Sequence, residues 1–171
     1  KGHRFLLDAV PRVLERHPEA RFIICGEGEL RGPLEEQRRK LGIEHEVLLP
    51  GFRTDVPELL DFFDIYAVPS HMEGLNTSLL DALAMRKPVV ACAAGGIPEV
   101  VHDGETGILV PARDPEAIAD GIVELIEDPD RGRRLAENGR RWIEEEFSVD
   151  SMVEGTLGVY RDVLERRRQK A

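Results

Sequence analysis

Hydrophobic residues in this chain fall into short apolar runs that alternate with amphipathic segments. The apolar runs predict five strands, at residues 21–25, 46–49, 65–68, 88–91 and 108–110. Between them, apolar residues recur every three or four positions, as on one face of a helix. Strands that alternate with helices indicate an α/β fold, a Rossmann-like parallel sheet with helices on both faces.

Several helix boundaries can be predicted from single residues. Asp114 and Asp128 are each followed by a proline, the pairing typical of an N-cap and a first helical position. Pro11 lies inside the first apolar-periodic segment, and it lacks the N–H that a helix interior uses. We therefore expect that helix to bend or to begin late. The last predicted helix carries one apolar stripe, formed by Val153, Leu157, Tyr160 and Leu164.

Composition narrows the classes of function. The 171 residues suit one domain with a sizeable core, and the net charge of −10 argues against nucleic acid or an anionic membrane surface as a partner. No apolar run is long enough to span a bilayer, and we expect no secretory leader. Cys25 and Cys92 lack metal-ligand spacing, so we interpret both as core residues in a reducing compartment, and expect a cytoplasmic protein.

The stretch from Asp64 to Glu99 carries most of the candidate chemistry. Residues 65–68 predict a strand, and a loop containing Glu73 and Gly74 leads to a helix start at residues 76–78. In open parallel sheets, ligands bind in loops that join a strand end to a helix start. This loop is therefore the first candidate for a binding site.

The residues of this loop suit a nucleotide sugar. Gly74 allows close backbone approach, and the free N–H groups at the start of the helix suit phosphate. Glu73 and Asp81 flank that start, and their carboxylates suit hydrogen bonds from sugar hydroxyls. The alternative is that Asn76 is an ordinary N-cap and both carboxylates are solvated, and spacing leaves both interpretations open.

A longer motif surrounds these residues. Glu73 and Asp81 are separated by seven residues, and KPVV at 87–90 and GGIPE at 95–99 follow. This pattern resembles the donor-binding half of retaining glycosyltransferases of the GT-B fold, family 4, and the resemblance covers nearly the whole chain. It departs from the family at Asp81, where a glutamate is usual, and at Asn76, where a glycine is usual.

The resemblance implies a domain organisation and an activity. Residues 1–171 would form one nucleotide-sugar-binding domain, the C-terminal half of a GT-B fold. The full-length enzyme would transfer a hexose from a UDP- or GDP-linked sugar to an acceptor hydroxyl with retention of configuration, without metal or other cofactor. Such enzymes serve carbohydrate or cell-envelope glycan biosynthesis.

The remaining parts of that enzyme are expected outside this sequence. The acceptor, a glycan or lipid, would bind an absent N-terminal domain, which could also hold the enzyme at the inner face of the membrane. The family's first strand would lie upstream of Lys1 and occupy the middle of the sheet. We therefore expect the chain alone to be inactive and to be capable of self-association.

The resemblance also implies roles for particular residues. Glu73 would be the catalytic carboxylate at the donor sugar, Asp81 would hold the ribose and Lys1 would neutralise the diphosphate. Further donor-binding positions are Gly26, Gly28, Gly51, Phe52, Arg53, Gly74, Leu75, Asn76 and Thr77. The loop at 26–28 would line the nucleotide pocket, residues 51–53 would read the base, and 74–77 would offer N–H groups to the diphosphate.

Simpler interpretations stay open for several of these positions. Lys1 could belong to a disordered terminus, the Gly26 turn could be a plain turn, and Glu73 could be a solvated loop residue. His71 lies beside the site, where it could donate a hydrogen bond or serve a structural role. At the level of function, the alternatives are a non-enzymatic nucleotide-binding module and a nucleotide-sugar epimerase or phosphorylase on a similar scaffold.

Overall fold

The computed structural model describes residues 1–168, in which strands and helices alternate. The strands are β1 (Phe22–Cys25), β2 (Val47–Gly51), β3 (Tyr66–Val68), β4 (Val89–Cys92) and β5 (Ile108–Val110). The helices are α1 (His3–Arg16), α2 (Arg31–Leu41), α3 (Val56–Phe62), α4 (Thr77–Ala84), α5 (Ile97–Val100), α6 (Pro115–Glu127), α7 (Pro129–Glu146) and α8 (Val149–Arg168). The predicted α/β class and all five predicted strands are confirmed.

The five strands form two parallel sheets. One sheet pairs β1 with β2, and the other has the order β3-β4-β5. In the second sheet Tyr66 lies opposite Val89, and Val90 lies opposite Ile108. Within residues 1–168, β1 and β3 do not pair with each other, so each has one edge without a neighbouring strand.

Two apolar clusters cover the faces of the sheets. In one, α1 packs on α6 through Leu7, Val10 and Ile118, which are each 2% exposed or less. In the other, Leu79 and Leu83 of α4 pack on β4 and α7. Burying one such side chain stabilises the fold by about 1.5–3 kcal/mol.

Burial also explains the course of α1. The helix begins at His3 and continues through Pro11, so the prediction of a late start is wrong. Pro11 removes one helical hydrogen bond, but Val10 and Val13 on either side of it are fully buried. Their burial offsets the missing bond.

The predicted helix caps at Asp114 and Asp128 are confirmed, whereas one of the two cysteines differs from its prediction. Asp114 caps α6 by accepting from the N–H of Ala117, and Asp128 caps α7 by accepting from that of Arg131. Both cysteines are free thiols, and Cys92 is buried as predicted. Cys25 is exposed because it ends β1 at the carboxyl edge of the sheet, so its assignment to the core was wrong.

Helix α8 is the longest helix within residues 1–168 and, like α2, it has no buried residue. Its apolar residues between Val149 and Arg168 face outwards. Within residues 1–168, no helix combines the length and the hydrophobicity needed to cross a bilayer.

Candidate functional site

The candidate residues collect at the carboxyl ends of the parallel strands. The loops at 26–30 and 52–55 follow β1 and β2, and the loop at 69–76 follows β3. The turn at 93–96 follows β4, and residues 111–114 follow β5. Because parallel strands end at the same edge, these loops line one side of the molecule, where open α/β sheets bind ligands.

Two glycines fix the backbone of the loop after β3. A Cβ on Gly2, which has a φ of 78°, would lie 1.9 Å from the carbonyl oxygen of Pro69. A Cβ on Gly95, which has a φ of 55°, would lie 1.8 Å from that of Glu73. The N–H of Gly96 donates to the same Glu73 oxygen at 3.2 Å. The loop is thus held between the start of α1 and the turn after β4.

The side chain of Glu73 is the centre of a hydrogen-bonded group. Lys1 Nζ lies 2.9 Å from Oε2 and 3.0 Å from Oε1, Ser70 Oγ donates at 3.0 Å and Asn76 Nδ2 at 3.3 Å. The Glu73 side chain is 11% exposed. Burial opposes ionisation, but the hydrogen bonds from Lys1 and Ser70 outweigh it and hold the pKa of Glu73 below its ordinary value.

Asn76 begins α4 and supports Glu73 at the same time. Its side-chain oxygen accepts from the N–H of Leu79 at 3.0 Å, which is an N-cap, while its amide nitrogen donates to Glu73. The cap leaves the N–H groups of Thr77 and Ser78, the first two of the helix, without a side-chain partner. Asn76 is therefore an N-cap, and the same helix start still has free N–H groups suited to an anion.

The loops after β1 and β2 are joined by a hydrogen bond. The N–H of Gly26 donates to the carbonyl of Gly51 at 2.8 Å, and both glycines have positive φ, 126° and 84°. Phe52 is 69% exposed beside them, and Arg53 forms an ion pair with Asp55. Gly28 lies in the same loop, where a Cβ would meet only open space.

Asp81 is exposed on α4, the helix that follows the Glu73 loop. Its negative charge affects the pKa of Tyr66 at the start of β3. Burial raises the pKa of the Tyr66 phenol, a hydrogen bond with Ser78 opposes the rise, and the Asp81 carboxylate adds to it. The Glu73 carboxylate acts on the Tyr66 pKa in the same direction.

The roles of Ser70 and Tyr66 were not predicted from the sequence. Ser70 is 2% exposed and donates to Glu73, and its position directly after the β3 turn was the available signal. Tyr66 was taken only as part of an apolar strand, although its hydroxyl needs a polar partner when buried.

A cavity of about 300 Å³ lies next to the Glu73 loop. It is lined by Gly74, Leu75, Gly96, Glu99, Val100 and Phe147. The volume matches the small end of ligand pockets, and Glu99 contributes a carboxylate to its wall. Among residues 1–168, no three or more His, Cys, Asp and Glu side chains are grouped as a metal site would need.

Fold and site together define an α/β protein whose candidate ligand groups gather at the carboxyl edge of parallel strands. The chain belongs to the family described as Glycosyl transferases group 1, whose sequence model matches residues 1–128. Alpha-D-kanosaminyltransferase of Streptomyces kanamyceticus is 30% identical over 166 residues. That alignment covers 95% of this chain and 43% of the relative, so the chain spans less than half the length of this relative.

Solved structures of glycosyltransferases share the fold. Anabaena Alr3699/HepE in complex with UDP-glucose is 29% identical with a TM-score of 0.86, covering 95% of this chain and 45% of that one. The C-terminal domain of a group 1 glycosyl transferase, LpcC of Francisella tularensis, is 27% identical with a TM-score of 0.79. That match covers 87% of this chain and 80% of the LpcC domain.

Proposed function

We propose that this chain is the donor-binding domain of a retaining, family 4 glycosyltransferase. The enzyme transfers a hexose from a UDP- or GDP-linked sugar to an acceptor hydroxyl. The observation that carries the proposal is the ionised Glu73, held by Lys1, Ser70 and Asn76 at the start of α4. The UDP-glucose complex of a similar structure supports a nucleotide sugar as the ligand.

We propose a task for each part of the site. The developing charge on the departing diphosphate is stabilised by the N–H groups at residues 74–77, at the start of α4. The Glu73 carboxylate accepts hydrogen bonds from the donor sugar, and Asp81 accepts from the ribose. The loops at 26–28 and 51–53 receive the base. These tasks need no metal ion.

We propose that Lys1 changes partner when the donor binds. In the structure its ammonium is paired with Glu73, and its side chain is 63% exposed. A diphosphate at the start of α4 offers it a stronger anionic partner. We propose that Lys1 then turns from Glu73 to the diphosphate, which frees the carboxylate for the sugar hydroxyls.

The proposal includes parts outside the described residues. Relatives are more than twice as long as their matched segment, and the LpcC match supports a C-terminal domain. We propose that the acceptor binds a preceding domain, and that a further strand fills the space between β1 and β3. The unpaired edges of those two strands support this. Free thiols at Cys25 and Cys92 fit the reducing conditions of a cytoplasmic enzyme.

Calorimetry with the 171-residue chain tests the proposal. We expect UDP or GDP to bind with a dissociation constant on the order of 1 mM, since one half of the cleft supplies the contacts. Uridine and guanosine, which lack the diphosphate, should bind more weakly. Glu105→Gln, an exposed carboxylate before β5 at the opposite edge, is the matched control and should change nothing. Absence of binding by both diphosphates would refute the proposal.

A further inference from the structure

Three basic side chains lie in or near the Glu73 loop, outside the contacts proposed for the donor. Arg4 lies in the first turn of α1, His71 follows β3 and Arg113 follows β5. The whole chain has 23 lysines and arginines against 33 aspartates and glutamates. A local group of basic side chains therefore stands out in a chain whose net charge is negative.

The ring of Phe5 joins two of these residues. The guanidinium carbon of Arg4 lies 4.5 Å from the Phe5 ring centroid, and His71 meets the same ring edge-on, with centroids 5.9 Å apart. Gly2 packs against the backbone just before His71. The positions of Arg4 and His71 are therefore fixed by the junction of α1 with the β3 loop.

Arg113 has a backbone conformation that is unfavourable for its residue type. Its φ is 65°, in the left-handed region. The only other such non-glycine residue in the described chain, Arg86 with a φ of 56°, follows the end of α4, where this conformation is common, and pairs with Glu137. Arg113 lies in the turn between β5 and α6, and within residues 1–168 it has no ion-pair partner. Glycine adopts this backbone angle at lower cost, so the turn itself does not require an arginine.

His71 and Arg113 follow β3 and β5, the two neighbours of β4, so both residues leave the same edge of one sheet. Partial burial lowers the pKa of the His71 imidazole, and the charges of Arg113, the amino terminus and Arg4 lower it further. Its buried Nδ1 has no hydrogen-bond partner within residues 1–168. Glu73, two residues along, is already paired with Lys1. Like charges repel one another, so an anion bound among these side chains would stabilise the arrangement.

We propose that Arg4, His71 and Arg113 form a binding site for an oxyanion, a phosphate or a carboxylate, carried by one of the two substrates. Guanidinium groups bind such groups through paired N–H donors, and an imidazolium adds a further donor. The site is separate from the diphosphate position at the start of α4. Its assignment to a substrate rests on the proposed function, whereas anion binding itself does not.

Phosphate titration followed by NMR tests the site. Inorganic phosphate is added to the chain at constant ionic strength, and the imidazole signals are recorded, with His71→Gln identifying its signal. We expect phosphate to shift the His71 signal and to raise its pKa, because a bound anion favours the imidazolium. Arg4→Gln and Arg113→Gly should each weaken phosphate binding at least fivefold.

Arg86→Gly is the matched control, since it removes the same side chain from the same backbone conformation. It should leave phosphate affinity unchanged. Arg113→Gly should keep or raise the melting temperature, because glycine relieves the strain, so its effect on phosphate cannot be due to unfolding. An unshifted His71 signal, or an equal loss of affinity in Arg86→Gly, would overturn the proposal.

Nucleotide ligands separate the possible sources of the anion. UDP affinity should be the same in Arg113→Gly and in the unsubstituted chain. Competition between phosphate and UDP would show that the anion site is not separate from the diphosphate position. Tighter binding of UDP-glucuronate than UDP-glucose, lost in Arg113→Gly, would assign the anion to the donor sugar. Phosphate binding that persists in saturating UDP-glucose would assign it to the acceptor. Failure of UDP to bind would instead refute the proposed function and leave the phosphate result standing.

Discussion

Glu73 accepts hydrogen bonds from three side chains of different chemical kinds, of which only Lys1 is distant in sequence. Lys1 comes from the start of the chain, Ser70 from the same loop and Asn76 from the cap of α4. Charge-assisted hydrogen bonds of this type are about twice as strong as neutral ones. They hold the carboxylate ionised, and the bonds from Ser70 and Asn76 keep its orientation when Lys1 turns to the diphosphate, as the proposed sugar-binding role needs.

Replacing Glu73 with glutamine tests its role in turnover. Glu73→Gln keeps the shape and removes the charge, so we expect turnover of the transferase that contains this domain to fall by on the order of 10² or more. The fold should persist, as judged by circular dichroism. Glu105→Gln is the control. Near-normal turnover in Glu73→Gln would remove this residue from the site.

Asp81 gives a separate prediction about the nucleotide. If its carboxylate accepts from the ribose hydroxyls, Asp81→Asn should weaken binding of the nucleoside diphosphate alone, by about tenfold for the loss of one charged hydrogen bond. Calorimetry with UDP and GDP measures this. Asp162→Asn, on the exposed face of α8, is the control. If Asp81→Asn leaves the affinity for UDP and for GDP unchanged, Asp81 is a solvated residue.

The sequence predicted the principal residues of the group around Glu73 but not all of them. Glu73, Asn76 and Lys1 belong to a recognisable motif, and the structure brings them together. Ser70 and Tyr66 carry no distinctive spacing, and their roles depend on burial and on partners in the folded chain. Arg113 could not be singled out either, because its backbone angle is a property of the fold.

At the scale of elements, Asn76 has two roles at the start of α4: it caps the helix and it donates a hydrogen bond to Glu73. Asn76→Ala removes the cap and should lower the free energy of unfolding by about 1 kcal/mol. Asn76→Asp keeps an N-cap acceptor but places a second carboxylate beside Glu73, at the position of a 3.3 Å contact. We therefore expect Asn76→Asp to retain stability at neutral pH better than Asn76→Ala, and to bind UDP more weakly than the unsubstituted chain.

Denaturant unfolding and calorimetry on the two variants check this prediction. If the alanine and aspartate variants lose stability equally, Asn76 does not act as a cap. If Asn76→Asp binds UDP as well as the unsubstituted chain, the helix start is not the diphosphate position.

The elements themselves were predictable because their signals are local. Apolar runs identified the five strands, and an aspartate before a proline identified two helix starts. The course of α1 through Pro11 was not predictable, because burial of Val10 and Val13 against α6 decides it. The division into two sheets depends on which strand edges meet, and periodicity carries no such information.

At the scale of the whole molecule, stability should depend on pH through two histidines. The pKa of His3 is lowered by burial, the amino terminus and Lys1, and that of His71 by burial and the nearby cations. The unfolded chain then binds more protons, so the stabilisation is present above the ordinary histidine pKa of 6.5 and is lost as pH falls below it.

Melting temperatures measured between pH 5 and 7.5 check this expectation. They should rise with pH over that range, and the combined variant His3→Gln, His71→Gln should flatten the dependence. A melting temperature that is constant or higher at pH 5 in the unsubstituted chain would contradict it.

Catalysis by the chain alone gives another prediction at this scale. A cleft closed by two domains aligns the acceptor and excludes water, and one half cannot do so. We expect no glycosyl transfer from the 171-residue chain, and turnover once the proposed acceptor-binding domain is joined to it. Addition of the preceding strand should raise the melting temperature. Robust transfer by the chain alone would show that the two-domain account is wrong.

The central claim is that this chain binds a nucleoside diphosphate at the carboxyl edge of its strands. An amide NMR spectrum of the chain, titrated with UDP, tests it residue by residue. The account predicts that the largest shifts fall on residues 26–28, 51–53, 73–77 and 81, with smaller shifts elsewhere. Shifts absent from the Glu73 loop and the start of α4, or concentrated on α7 and α8, would contradict it.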